Sequence, residues 1–331
     1  MTPREKSDLV CRLGREAGFD AVGIAEAAPI ARRAYLAEWL AQGRHGEMSY
    51  LERTAEVRCD PRRLLEGARS VIVAAQSYKP DSDAAHRSHT VESSNVEPRG
   101  RVARYAWGRD YHRVHRRKLQ RLADALHKAV GEEFETRVCV DTAPIVEREM
   151  AAAAGLGWIG KNALVLHPRL GSYLFLGEIV TTLELAPSQP MTDHCGSCTR
   201  CLEACPTHAF PGPFQMDAMR CISYLTIEHR SQIPGELQPA MGDWIFGCDI
   251  CQEVCPHNSK APAATESAYG PSERFPLAPQ PPLATILNMT EDQRQQWLAG
   301  SAMKRATLAM LKRNAEIAAR NGEEKRRNPE N

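Results

Sequence analysis

The chain has 331 residues, room for about two domains of ordinary size, and 43% of them are hydrophobic, so it can bury real cores and is neither disordered nor collagen-like. Its 42 Lys and Arg stand against 41 Asp and Glu, which removes net charge as a guide to partners. No apolar run approaches the roughly 18 residues of a membrane span, and Arg4, Glu5, Lys6 and Asp8 occupy the place of an apolar signal segment. A soluble, cytoplasmic protein with no membrane partner is expected.

In chain order, residues 1 to about 185 read as mixed α and β. Leu9, Leu13, Ala17 and Phe19 mark a first helix, 62–68 reads as helical, and Val71 to Ala75 reads as a short buried strand. The polar run Pro80 to Pro98 reads as a loop or flap. Leu119, Leu122, Leu126 and Val130 recur at helical spacing, Phe134 to Val140 and Tyr173 to Leu185 read as strands, and Glu147 to Ala154 as a helix between them. Residues 186–260 form a cysteine-rich unit. Pro256 to Pro282 holds seven prolines in 27 residues, too many for a helix or central strand. From Leu283 to Asn331 the pattern is helical, with Leu308, Leu311, Ala315 and Ala318 on one face and a frayed basic end at Lys325-Arg326-Arg327.

Eight of the eleven cysteines fall between Cys195 and Cys255, where a reducing compartment leaves little use for disulfides and metal is the natural reading. Cys195-x2-Cys198-x2-Cys201-x3-Cys205-Pro206 is the spacing that wraps three thiolates around one [4Fe-4S] cluster and sends the fourth to a second cluster. Cys248-x2-Cys251-x3-Cys255-Pro256 repeats it with Ile245 where the first cysteine belongs, and Cys221 is the spare thiol nearby. The count closes as Cys195, Cys198, Cys201 and Cys255 on one cluster, with Cys205, Cys221, Cys248 and Cys251 on the other. Zinc ribbons share CxxC pairs but not this spacing. Cys11, Cys59 and Cys139 read as core thiols.

Gly155-Leu156-Gly157-Trp158-Ile159-Gly160 has the form of a dinucleotide fingerprint but follows a helix, so Gly155 reads as that helix's terminator. Asp141, at a strand's end before Pro144 and Glu147, fits both a helix N-cap and a carboxylic acid at a ligand-binding strand edge. Arg99 to Arg121 carries nine Arg or Lys against Asp110 alone, interleaved with Tyr105, Trp107, Tyr111, His112 and His115; a solvated helix face and a nucleic-acid surface fit it equally. Met303 to Arg327 adds eight basic residues and favours nucleic acid. Asp110-x-His112 begins the signature of histidine-ligated cobalamin proteins, but His115 occupies its glycine position, so a corrinoid here would lack a histidine ligand.

Together Arg104 to His112, Val140 to Pro144, Gly155 to Lys161, the first cysteine motif, Cys221 to Glu228 and Gly247 to Pro256 resemble the epoxyqueuosine reductases, from Gly18 to about Asn314. The resemblance implies an α+β protein: a flavin-reductase or corrinoid-processing-like α/β sandwich (1–185) holding cobalamin, a ferredoxin-like domain with two [4Fe-4S] clusters (186–260), and a shortened HEAT-like helical region (283–331). It implies reduction of epoxyqueuosine to queuosine at the wobble position of tRNA, fed by an external low-potential electron donor, by a monomer. Asp141 matches the proposed proton donor, for which a carboxyl raised by a desolvated pocket is expected. Arg104, Tyr105, Asp141, Lys161 and Ser223 match motifs assigned to cofactor binding. A reductive dehalogenase and a plain ferredoxin-type electron carrier are the rival readings.

Overall fold

The structure, a computed structural model, describes residues 1–81, 97–275 and 277–327. Most of the polar run Pro80 to Pro98 lies outside them. Helix α1 (Pro3–Glu16) starts where Thr2 and Glu5 cap each other's backbone and Pro3 needs no donor partner. Four strands, β1 (Ala21–Glu26), β2 (Ser70–Ser77), β4 (Thr136–Cys139) and β7 (Leu174–Thr181), form an antiparallel sheet in the order β1-β2-β7-β4. The central strands β2 and β7 are almost wholly buried, as near-continuous apolar runs require.

Each sheet face has its own helix. Helix α3 (Tyr111–Ala129) lays Leu119, Leu122 and Leu126, none of them exposed, on the face that α1 shares; each such side chain contributes about 1.5–3 kcal/mol. The other face packs on α4 (Glu147–Ala153) and on a long segment whose one sizeable helix is α2 (Arg33–Ala41). A row of residues crosses this face: Gly23 pairs with Val73, Val73 with Glu178, and Glu178 with Cys139. Gly23 must be glycine, because a Cβ there would lie 2.1 Å from the Ala154 carbonyl oxygen at the end of α4.

The expected helix at 62–68 is only the turn Pro61–Arg63, broken by Gly67 in the left-handed region (φ 72°). Strand β1 was not anticipated, since a central glycine lowers strand propensity. A short pair, β3 (Arg101–Val102) and β8 (Trp244–Phe246), joins the first part of the chain to the cysteine-rich part. Helices α5 (Ile222–Ile227), α6 (Leu283–Leu287) and α7 (Leu308–Arg327) pack around it. The basic end continues α7 through Arg327 instead of fraying. On α7 the buried Asn314 amide donates to the carbonyls of Thr226 and Ile245, at 3.0 Å each. Among the described residues no helix is long and apolar enough to cross a membrane.

Candidate active site and cluster sites

All eight clustered cysteines are free. Cys201 lies within electrostatic reach of Cys255, Cys195 and Cys198, while Cys195 and Cys255 pack together on Trp158 and Leu166. Cys221 lies within reach of Cys205, Cys248 of Cys221 and Cys251, and Cys251 of Cys221, Cys201 and Cys205. The sulfurs thus form two neighbourhoods, one around Cys201 and one around Cys221 and Cys248, with Cys251 within reach of both. Burial first, then the neighbouring sulfurs, pushes the Cys201 thiol up to about 11 and Cys248 and Cys251 well up. Crowded thiols that oppose one another's ionisation become thiolates only around cations, which is what cluster iron supplies. Donors already surround the sulfurs: the N–H groups of Ser223 and Tyr224 face Cys221, Ala209 donates to Cys205 Sγ at 3.3 Å, and the Trp158 indole N–H, otherwise unpartnered, is turned to Cys195. The residues fit two iron–sulfur clusters.

Asp141 lies two residues beyond the end of β4 with its backbone in the left-handed region (φ 49°), a strained position for a non-glycine residue. It is not an N-cap: α4 begins at Glu147, with Val146 in the cap position. Its backbone N–H donates to Glu147 Oε1 at 2.5 Å, and its Oδ2 lies 2.9 Å from His112 Nε2. His112 Nδ1 lies 2.6 Å from Asp110 Oδ1, so one imidazole bridges two carboxylates. Burial alone would lower the His112 pKa; the hydrogen bonds and charges of Asp110 and Asp141 outweigh it and carry the group up to about 9. Burial pushes Asp141 up, but the hydrogen bond and charge of His112, a Tyr111 hydrogen bond and Arg305 bring it below the ordinary carboxylate range. The expectation of a raised Asp141 carboxyl is thereby corrected: the protons near it reside on His112 and on Glu147, which burial and the Asp141 charge push up to about 7.

Around this pair stands an aromatic wall. Tyr111 stacks on Phe175 (centroids 4.4 Å apart) and on His112 (4.1 Å), and Tyr105 meets Tyr111 edge-on at 6.2 Å. The Tyr50 ring lies near both Arg58 and Arg305. Sequence reading missed Tyr50, Arg58 and Glu147; Arg305 had been read only as part of a basic stretch. Two imidazoles near Asp141 bear on how a cobalamin could be held. Both His112 nitrogens are engaged, and the unpartnered Nε2 of His115 is sealed in the core beside Phe19, so neither ring presents a free nitrogen to a ligand, and a corrinoid without a histidine ligand fits.

The other expected cofactor residues are distributed differently. Tyr105 stands in the aromatic wall beside Tyr111. Arg104 is buried and turned to the cluster region, its Nη1 3.1 Å from Asp249 Oδ2 and 2.6 Å from Glu253 Oε1. Lys161 Nζ donates to the carbonyls of Gly196 (2.7 Å) and Cys198 (3.0 Å), bracing the first cysteine loop. Ser223 serves Cys221 through its backbone. Gly155 follows α4 in the left-handed region (φ 69°), as a helix terminator does.

Two family models match the chain. That for "Epoxyqueuosine reductase QueG, DUF1730" covers residues 58–142, and that for a "4Fe-4S double cluster binding domain" covers 194–258. Among curated proteins, the epoxyqueuosine reductase of Pseudomonas aeruginosa is 42% identical over 311 residues, spanning 93% of this chain and 83% of its own. The chain belongs to the epoxyqueuosine reductase family. The Synechocystis member is 43% identical over 283 residues, 85% of this chain and 93% of its own. A crystal structure of an epoxyqueuosine reductase with an epoxyqueuosine-modified tRNA stem loop superposes with TM-score 0.86 at 31% identity, covering 96% of this chain and 81% of that one. Another, from Bacillus subtilis, is described with its catalytic aspartate loop swung out of the active site (TM-score 0.84, 30% identity, covering 96% of this chain and 82% of that one). As a member of this family the chain is an oxidoreductase that carries 4Fe-4S clusters.

Proposed function

We propose that the chain reduces epoxyqueuosine to queuosine at the wobble position of tRNA, acting as a monomer. The reaction breaks both C–O bonds of the epoxide, forms a C=C bond and releases the oxygen as water, consuming two electrons and two protons. The electrons come from an external low-potential donor, one at a time, through the two [4Fe-4S] clusters. Cobalamin, when bound, supplies low-valent cobalt as the reductant at the epoxide carbon.

The observation that carries this reading is the proton-bearing Asp141–His112 pair joined to two sets of four cysteines through one rigid segment. Tyr105 of that segment walls the cleft, and the adjacent Arg104 is locked by Asp249 and Glu253 among the cluster cysteines. In this reading residues 1–185 hold the corrinoid and the acid, 186–260 hold the clusters, and the helices from Leu283 to Arg327 close the core behind them. Asp141 delivers a proton to the leaving oxygen, and His112, whose imidazolium donates to it, refills it. Tyr105 and Tyr111 exclude water from the reacting face.

The exposed Arg113, Arg116, Arg117 and Arg121 run along α3 away from His112 and suit the phosphates of a stem loop. Arg58 and Arg305, both within electrostatic reach of Asp141 and the latter paired with Glu228, add positive charge near the place of the modified base. The deciding experiment is nucleoside mass spectrometry on epoxyqueuosine-containing tRNA incubated anaerobically with the cluster-loaded protein and a strong reductant, with and without cobalamin. Cobalamin-dependent loss of one oxygen from the modified base is expected; an unchanged base with clusters and cobalt loaded would refute the reading.

A further inference from the structure

Glu178 is the one charged-type residue within the buried run of β7, and its side chain is fully buried with neither carboxylate oxygen hydrogen-bonded. Its neighbours across the sheet, Val73 and Cys139, offer no cation, and Leu176 and Val180 flank it on the same face. A carboxylate in such a place is prohibitively costly, so the group is held as the neutral acid. The titratable groups that face it are Glu147 at the start of α4, Asp141 on the loop leaving β4, and Cys139 on β4 itself. Glu147 accepts the Asp141 backbone N–H. Two acids thus stand behind Asp141 on one side of the sheet, while His112 contacts it from the other element, α3.

Epoxide removal as water needs two protons at one oxygen, whereas the Asp141–His112 pair holds one in ready form. We infer that Glu178 and Glu147 form an internal proton store that returns the second proton of each turnover to Asp141; the inference rests on the reductase reading above. The balance closes without a new reagent. One proton moves from His112 through Asp141 to the oxygen as the first C–O bond breaks. The second moves from Glu147 through Asp141 as the oxygen leaves, Glu178, whose oxygens hydrogen-bond to no protein group, passes its proton to Glu147 across a bridging water, and both acids refill from solvent through the half-buried Glu147 before the next turnover. Glu178 and Glu147 act only through Asp141 and touch no substrate.

The test compares cluster- and cobalamin-loaded wild type with Glu178→Gln, a neutral near-isostere, in single turnovers on epoxyqueuosine tRNA across pH. Below about pH 6.5 solvent keeps Glu147 protonated, and the two proteins should run within about twofold of each other. By pH 8.5 Glu178 alone of the two acids still holds a proton, while His112 keeps its own, and Glu178→Gln should be slower by about tenfold or more, with Glu178→Asp recovering part of the rate. Superimposable pH profiles overturn the inference. A second arm needs no turnover: infrared spectroscopy of glutamate-labelled protein at pH 8 should show a protonated carboxyl band that Glu178→Gln removes. Absence of that band from the wild type overturns the store whether or not the variant folds. Failure of the wild type to turn over strikes the reductase reading instead, and the infrared arm then judges the store alone.

Discussion

Substituting His112 by Asn removes the one cation between Asp110 and Asp141 while keeping a polar side chain of similar reach. In the folded chain His112 is carried from 6.5 to about 9, and at 1.36 kcal/mol per pH unit such a rise corresponds to about 3 kcal/mol as an upper bound. Side-chain exposures of 31% for His112 and 47% for Asp141 admit solvent screening, which leaves about 1–2 kcal/mol. The folded value is raised, so this stabilisation is fully present below about pH 6.5 and is lost as pH climbs through about 9. Urea unfolding under argon, at pH 6 and at pH 9.5, reads it directly. Wild type should lose about 1–2 kcal/mol between the two that His112→Asn does not lose. Asp141→Asn, which leaves Asp110 as the remaining partner, should move the wild-type midpoint down by about one pH unit. Parallel stability curves for wild type and His112→Asn would refute the bridged-imidazolium account, and with it the assignment of the first proton to His112.

Three further outcomes are expected. Cys221→Ser should cut cluster iron from about eight to about four atoms per chain, by iron assay and electron paramagnetic resonance, whereas Cys11→Ser should leave it unchanged. Arg104→Leu strands the buried Asp249 carboxylate and should lower stability by about 3–5 kcal/mol, while adding Asp249→Leu should recover a large part of that in a double-mutant cycle. Reversing the charge of Arg113, Arg116 and Arg117 should weaken stem-loop binding and flatten its salt dependence by about one phosphate contact per arginine lost, as measured by titrations at several salt concentrations.

Cluster ligands were legible because a cubane imposes local spacing: three thiolates within one loop must follow x2, x2, and the residues say so directly. Cys221 was legible only by count, since it comes to Cys248 through the packing of α5 on β8. Asp141 was found as a residue but misread as a local structure, because Pro144 and Glu147 imitate a first helical turn while the helix begins at Glu147 itself. Its ionisation was misjudged for a different reason. Desolvation is the dominant push, as expected, but the opposing imidazole comes from α3, and no spacing rule reveals which helix end a strand end will meet. Arg104, Lys161 and Ser223 were picked out as residues that matter, yet each supports the cysteine loops instead of the cleft, a choice made entirely by tertiary contacts. Glu178 left a trace that went unread: a lone acid inside Phe175-Leu176-Gly177-Glu178-Ile179-Val180 contradicts the apolar pattern around it, and such contradictions tend to fall where function is held.

The seat of Asn314 has a consequence for how the protein is made. Its amide closes the carbonyls of Thr226, in the helix that follows Cys221, and Ile245, in the strand that precedes Cys248, and Leu311 and Ala315 complete the apolar core there. Until residues 308–318 have left the ribosome, those carbonyls lack their partner and the second cysteine set lies in an open core. The first set owes its setting to Trp158, Leu166 and Lys161, all synthesised earlier. The setting of the first cysteine set is thus complete once Cys255 is made, whereas that of the second is completed only when α7 docks.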